Sequence, residues 1–165
     1  EDNEVTFENA WGICDEDIYF QSLKSASKLA KNGQPFFQFV MTTSNHKPYS
    51  FPEKKINAPQ GERESAVKYT DFALGKFIDE ARTKDWFSNT IFIIVADHCA
   101  SSAGKWEINI EKHHIPALIY NFKGKRISFS LIPSKTSTYS VEIIQGFIIT
   151  YSSLPFTFTL LPKPT

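Results

Sequence analysis

The sequence lacks most of the signals that would assign it quickly. Its 165 residues carry 18 Lys plus Arg against 18 Asp plus Glu, so neither sign is in excess. No basic run of the usual kind is present, which argues against a nucleic-acid partner. Only two cysteines occur, Cys14 and Cys99, far apart; they make no disulfide framework, and sequence alone does not decide a single bridge. No stretch approaches the ~18 apolar residues of a transmembrane helix. The acidic opening Glu1-Asp2-Asn3-Glu4 lacks the charged-then-apolar order of a signal peptide, and so abrupt a start suggests a piece of a longer chain. There is no internal repeat, no G-x-S-x-G elbow, no P-loop and no zinc-finger spacing.

What is present is core material. Fifteen phenylalanines and 15% aromatics are ample for one domain of this length. The run Ile91-Phe92-Ile93-Ile94-Val95-Ala96-Asp97-His98 organises the rest. Its β-branched and aromatic residues, after the turn signal Ser88-Asn89, predict a fully buried strand. Burial on both faces favours a parallel sheet with helices on each side.

Two helices and two further strands surround it. Asp15 is a good N-cap, Glu16 and Asp17 suit the positive end of a helix, and Tyr19, Leu23, Ala26 and Ala30 recur at helical spacing up to the stop signal Asn32-Gly33 before Pro35. Phe36 to Met41 reads as a second buried strand, feeding the polar loop Thr42 to Tyr49. A long loop punctuated by Pro52, Pro59 and Gly61 follows. From Glu62 to about Lys84 the stripe Ala66, Tyr69, Ala73, Phe77, Ala81 predicts the second helix. After a polar stretch to Lys112, Ile115 to Tyr120 predicts a third strand, with Pro116 acceptable at its first position or at an edge. The fold class expected is α/β, a parallel sheet with flanking helices. From Ile127 to Thr165 only Lys135, Glu142 and Lys163 are charged and no stripe emerges; Ile143 to Tyr151 is a possible strand interrupted by Gly146.

The chemistry-bearing residues follow strands. In open α/β sheets the ligand crevice lies past the carboxyl ends of the strands. Asp97 and His98 stand there, and so does His46, after a different strand. Asp97 can supply an oxygen and His98 a nitrogen to a divalent cation, while His46 can donate a proton to a leaving group or hold an anion. The competing reading makes Asp97 a helix cap, His98 a rim histidine and His46 a structural loop residue. His113 and His114 open a strand and point to opposite faces, so one at most faces the crevice; His114 is the candidate second substrate contact. Cys99, beside the candidate ligands, is either a metal-activated thiol or a small buried residue. Lys47 and Lys105 are phosphate contacts or solvated lysines, and Trp11 and Trp106 are packing residues or loop anchors.

Several segments together resemble the lipoteichoic acid synthase family, which belongs with sulfatases and phosphoethanolamine transferases in the alkaline-phosphatase-like group. They are Trp11-Gly12 with Asp15, Pro35-Phe36-Phe37, Thr43-Ser44-Asn45-His46-Lys47-Pro48-Tyr49, Lys68-Tyr69-Thr70-Asp71, Asn89-Thr90-Ile91-Phe92, Ala96-Asp97-His98 and His114-Ile115-Pro116-Ala117-Leu118-Ile119-Tyr120. The resemblance runs from about Trp11 to about Arg126. It implies a partial alkaline-phosphatase/sulfatase-like fold and a metal-dependent phosphoglycerol transferase acting on a lipid headgroup in cell-envelope polymer synthesis. It puts the metal on Asp97 and His98, manganese first, with Zn, Mg and Ca as alternatives. It puts the substrate phosphate or leaving group on His46.

The family's threonine nucleophile and other carboxylate ligand lie earlier in the chain, and neither motif is present here. Nor are the preceding membrane helices that would set the catalytic domain outside the cytoplasm at the cell membrane. The expectation is therefore the C-terminal part of a catalytic domain over residues 1–126, inactive by itself. Residues 127–165 form an atypical tail that does not match the family's Asp-x-x-Pro-Thr-type continuation, as a frameshifted or replaced end would not. A sulfatase, a phosphodiesterase, a phosphoethanolamine transferase or a non-catalytic remnant is the alternative on the same residues.

Overall fold

Phe92 has no exposed surface and sits at the centre of the core. Its ring meets Phe77 edge-on at 5.9 Å, and Phe87, Tyr120 and Trp86 at 5.6, 6.2 and 6.5 Å. Offset and edge-on aromatic packing of this kind adds to the stabilisation from burial alone. The computed structural model describes residues 4–98, 115–122, 125–130 and 146–152. Within them a hairpin of β1 (Glu8–Asn9) and β2 (Gly12–Ile13) precedes α1 (Asp15–Lys31), β3 (Phe37–Met41) and α2 (Arg63–Ala81). A 3-10 turn at Phe87–Asn89 leads into β4 (Thr90–Ala96); β5 (Pro116–Phe122), β6 (Lys125–Ser130) and β7 (Gly146–Ser152) follow.

The helices form where the periodicity places them. On α2 the stripe Ala66, Tyr69, Ala73, Phe77 and Ala81 is buried to within a few per cent. On α1 Tyr19, Leu23 and Ala26 face it, with Tyr19 stacked on Phe77 at 4.8 Å. The stop at Asn32-Gly33 is a Schellman motif: Gly33, at φ 68°, donates to Ala30 O and Gln34 donates to Leu29 O. Only glycine takes that φ without a steric penalty.

The sheet differs from the expectation in strand direction. Its order is β3-β7-β4-β5-β6, and every hydrogen-bonded pair is antiparallel. β3 and β4 do run the same way, because each is antiparallel to β7, but they are not neighbours. An apolar run specifies a strand and not its partner, and β7 comes from the charge-poor segment for which no element was clear. It begins at Gly146, the residue read as an interruption. The boundary read at Arg126 falls inside β6, and Pro116 takes the first position of β5.

Coverage of the sheet differs too. Buried Val40, Phe92 and Ile94 share one core with both helices, so among the described residues α1 and α2 lie on one face. β4 accordingly alternates, with Thr90, Phe92, Ile94 and Ala96 buried and Ile91, Ile93 and Val95 half-buried. β3, expected to be buried, is an edge strand among the described residues and exposes Phe37, Phe39 and Met41.

Asp15 corrects the helix-cap reading. Cys14 occupies the N-cap position, and Asp15 opens the helix with no exposed surface. Its Oδ1 accepts the backbone N–H groups of Thr43 and Ser44 at 3.0 and 2.9 Å, and its own N–H donates to Ser44 Oγ at 3.1 Å. Thr43 Oγ1 donates to Ile13 O at 2.8 Å. Burial pushes the Asp15 carboxyl above its ordinary range, against the pull of the Ser44 and Thr43 N–H groups. The Thr70 hydroxyl also draws it down, although it and Asp15 Oδ2 both fall outside hydrogen-bond geometry. One residue on, Glu16 accepts from Lys76 at 2.9 Å, Lys55 at 3.3 Å and the Tyr69 hydroxyl at 3.2 Å, tying α1 to α2 and to the long loop.

Two outcomes follow. Asp15→Ala strands two N–H groups, each costing ~1–3 kcal/mol, so urea unfolding should show a loss of about 2–6 kcal/mol and faster amide exchange at Thr43 and Ser44. Asp15→Asn keeps an acceptor and should lose less. The second outcome concerns acid. Burial alone would raise the Glu16 carboxyl, but Lys76 and Lys55 together hold it below its ordinary 4.5. A depressed carboxyl contributes stability above its unfolded value and loses it as pH falls through the folded one. Chemical denaturation from pH 7 to pH 3 should therefore show a shallower acid loss for Glu16→Gln than for the native chain.

Candidate functional site

β3 and β4 end at one edge of the sheet. Met41 and Val95 are both in register with Phe147 of β7. The loop after β3 and the bend after β4 therefore leave the sheet side by side, with one strand between them. At the ordinary strand spacing their departure points are about 10 Å apart. His46 belongs to the first of these segments, and Asp97 and His98 to the second.

The His46 loop is held from several directions. Thr42, Ser44 and Asn45 are buried, and Asp15 fixes the two N–H groups just ahead of the histidine. Tyr49 N–H donates to His46 O at 2.7 Å, and Gly61 N–H donates to Tyr49 O. Asn9 donates to Ser50 Oγ at 3.1 Å, binding the β1–β2 hairpin to the far side of the loop. The imidazole is half-buried, with Nδ1 3.1 Å from Lys47 O. A carbonyl only accepts, so Nδ1 carries the hydrogen in that contact and Nε2 is left for whatever faces the site. Trp11, expected as a packing residue or loop anchor, is 52% exposed and lies over the His46 ring with centroids 3.4 Å apart.

Asp97 and His98 sit together on the bend after β4. Asp97 Oδ1 accepts the His98 N–H at 2.8 Å, and Asp97 Oδ2 lies 3.5 Å from His98 Nε2. The Asp97 side chain is largely covered and that of His98 half exposed. Both are accessible donors of the hard-oxygen and imidazole type that divalent ions take. Among the described residues no group of three or more His, Cys, Asp or Glu is placed to enclose a metal ion. Lys47 is exposed. His113, His114, Cys99, Lys105 and Trp106 lie outside the described residues.

Three contributors were not singled out from the residues as parts of the site: Asp15, Thr70 and Trp11. The available signal was their place in the quoted motifs. Trp11-Gly12 with Asp15, Thr43 to Tyr49, and Lys68 to Asp71 are remote in sequence yet meet around the base of the His46 loop.

Comparison with known proteins bears on the family and the fold. The family model described as Sulfatase matches residues 1–141. The chain is similar to phosphoglycerol transferase I of Escherichia fergusonii, 25% identical over 140 residues, covering 81% of this chain and 18% of that protein. It is likewise similar to phosphoglycerol transferase I of Citrobacter koseri, 26% identical over 109 residues, covering 62% and 14%. It thus spans less than a fifth of the length of these relatives. Among solved structures it resembles a protein in the alkaline phosphatase superfamily from Vibrio parahaemolyticus, with a TM-score of 0.64 and 43% identity, covering 70% of this chain and 29% of that one. A family model that takes in the hairpin, both helices and the segments bearing His46, Asp97 and His98 leaves one conclusion: this chain belongs to the sulfatase family, with the α/β fold of the alkaline phosphatase superfamily.

Proposed function

We propose that this chain supplies part of the active site of a metal-dependent phosphoglycerol transferase of the lipoteichoic acid synthase type. The observation that carries the reading is the shared sheet edge of His46 and the Asp97-His98 pair, together with relatives named phosphoglycerol transferase I. The substrate would be a lipid headgroup carrying phosphoglycerol. The whole protein would work at the cell membrane with its catalytic domain outside the cytoplasm; among the described residues no helix is long and apolar enough to cross a membrane.

Asp97 and His98 would hold a divalent ion, manganese first. Asp97 Oδ2 and His98 Nε2 lie 3.5 Å apart, an oxygen and an imidazole nitrogen of the kinds divalent ions take, so the pair suits a shared ion by donor type. Such an ion polarises phosphoryl oxygens and lowers the pKa of an attacking hydroxyl. His46 presents Nε2, its other nitrogen being engaged with Lys47 O; as the imidazolium, with a hydrogen on both nitrogens, it would give the Nε2 proton to the departing alcohol oxygen or bind the anionic phosphoryl oxygen. Trp11 and the Asp15-anchored backbone keep the imidazole in place. The family match to Sulfatase supports a second reading on the same residues, a sulfatase or phosphodiesterase, because these donors serve a sulfuryl group as well as a phosphoryl group.

Catalytic metal sites generally take about three protein ligands, and this reading assigns two here. The isolated chain should therefore bind manganese weakly and release no phosphoglycerol. A partner chain bearing a threonine nucleophile and a further carboxylate should restore both. In that assembly Asp97→Ala should weaken manganese binding by more than about 100-fold, since even outer-shell groups are worth about 10–100-fold. His46→Ala should keep the metal and lose about 10²–10⁴ in kcat. Calorimetric manganese titration with a lipid-release assay checks all three; robust turnover by the 165-residue chain alone overturns the reading.

A further inference from the structure

The hairpin of β1 and β2 presents Trp11 at its tip. Asn9 and Gly12 are paired in register, so Ala10 and Trp11 form a two-residue turn between the strands. Gly12 sits at φ 129°, a backbone conformation that a residue with a Cβ adopts only with strain. Two strands of two residues each have little stability of their own, so the place of Trp11 depends on what ties the hairpin down. At the base, Cys14 N–H donates to Phe7 O at 3.0 Å and Thr43 Oγ1 donates to Ile13 O at 2.8 Å. At the tip, one half-buried side chain makes two connections. Asn9 Oδ1 accepts the Trp11 N–H at 2.8 Å. Asn9 Nδ2 donates to Ser50 Oγ at 3.1 Å and more weakly to Ser50 O at 3.5 Å. Ser50 follows Tyr49, whose N–H donates to His46 O. The Asn9 amide thus joins the turn that bears the indole to the far end of the turn that bears the imidazole, and the two rings lie with centroids 3.4 Å apart.

We propose that Asn9 is a positioning residue for His46: its two connections seat the Trp11 indole against the imidazole and so restrict the orientations from which Nε2 reaches a substrate. An amide suits the place, because it presents an acceptor and donors on one planar group. The turn supplies an N–H and the loop supplies oxygen atoms, so each end of the amide meets its complement. The contact of His46 Nδ1 with Lys47 O holds one edge of the ring. A single hydrogen bond leaves the ring plane free to tilt, and a flat indole packed against it removes that freedom. Orientation of this kind matters because a reacting group slightly out of place loses rate steeply. The inference rests on the proposed function only in that the His46 imidazole acts on the substrate; the seating of the ring is independent of the group transferred.

The test is NMR of the full 165-residue chain, isotope-labelled, with the His46 ring signals identified by their loss in His46→Gln. An indole face shifts protons lying over it upfield, so the native chain should show displaced His46 signals that return toward ordinary positions in Trp11→Ala. Asn9→Ala should give most of the same return. Ser50→Ala should give part of it, because Asn9 keeps the Trp11 N–H and the weaker contact with Ser50 O. Asn9→Asp should retain the displacement, since a carboxylate accepts from Trp11 and the Ser50 hydroxyl can turn to donate to it. Asn9→Asp combined with Ser50→Ala should lose that rescue. Should Asn9→Ala not fold, these last variants decide in the same way. In the assembly with a partner chain bearing the nucleophile, Asn9→Ala should lower kcat by up to about tenfold, the weight of the net hydrogen bonds removed, and leave manganese affinity unchanged. His46 signals that are not displaced in the native chain, or that stay displaced in Asn9→Ala, overturn the proposal. So does a lost displacement with kcat as in the native assembly. Full turnover by His46→Ala overturns the catalytic reading of His46 and leaves the seating of its ring by Asn9 standing.

Discussion

The path of the chain after β3 depends on the buried Asp15 carboxylate. It lies in the first turn of α1, where the helix presents its own unpaired N–H groups and positive end. It uses one oxygen to bind two consecutive N–H groups of a loop 28 and 29 residues away. Desolvating a carboxylate is costly, and two backbone N–H bonds counter only part of that cost, since burial still holds the carboxyl above its ordinary range. Ser44 completes a reciprocal lock by accepting the Asp15 N–H. The path of the chain after β3, and with it the location of His46, depends on that lock. Asp17 does the same for the N-terminal segment, accepting from the backbone of Thr6 and Phe7.

Beneath the lock is an aromatic core that makes the strand ends rigid. Phe92 and Phe77 join the sheet to α2, Tyr19 joins α2 to α1, and Trp86 reaches α1 through a 3.0 Å bond from Nε1 to Ser27 Oγ. Phe51, stacked on Tyr69 at 5.1 Å, anchors the long loop, and Gln60 bonds both backbone groups of Phe51. Interiors packed in this way transmit little slack, so His46 and the Asp97-His98 pair are carried by ends of elements that are themselves fixed. Polar groups accumulate at this edge because the strands end there and the loops must satisfy their backbone groups.

The distribution of chemistry agrees with the family assignment. The described residues place a carboxylate, two imidazoles and an exposed indole at one edge of the sheet. The family model runs through most of the chain, whereas the chain accounts for a small part of the relatives it matches. Family membership is thus decided by the residues present. A fold of this kind hosts several reactions, and the reaction is argued from the site.

Much was legible in the residues themselves. The α2 stripe, the α1 stop at Asn32-Gly33, the strands around Phe39 and Phe92, and the position of His46, Asp97 and His98 after those strands all follow from local periodicity and turn chemistry, which act over a few residues. The fold class and the family resemblance were readable for the same reason, since the motifs are local and ordered. Tertiary structure alone decided the antiparallel place of β7 between β3 and β4, because pairing partners are chosen by long-range contacts that an apolar run does not encode. It alone made β3 an edge with exposed phenylalanines, since burial depends on what lies alongside. It alone turned Asp15 from an apparent helix cap into the anchor of the His46 loop, because the donors that satisfy its carboxylate come from another part of the chain.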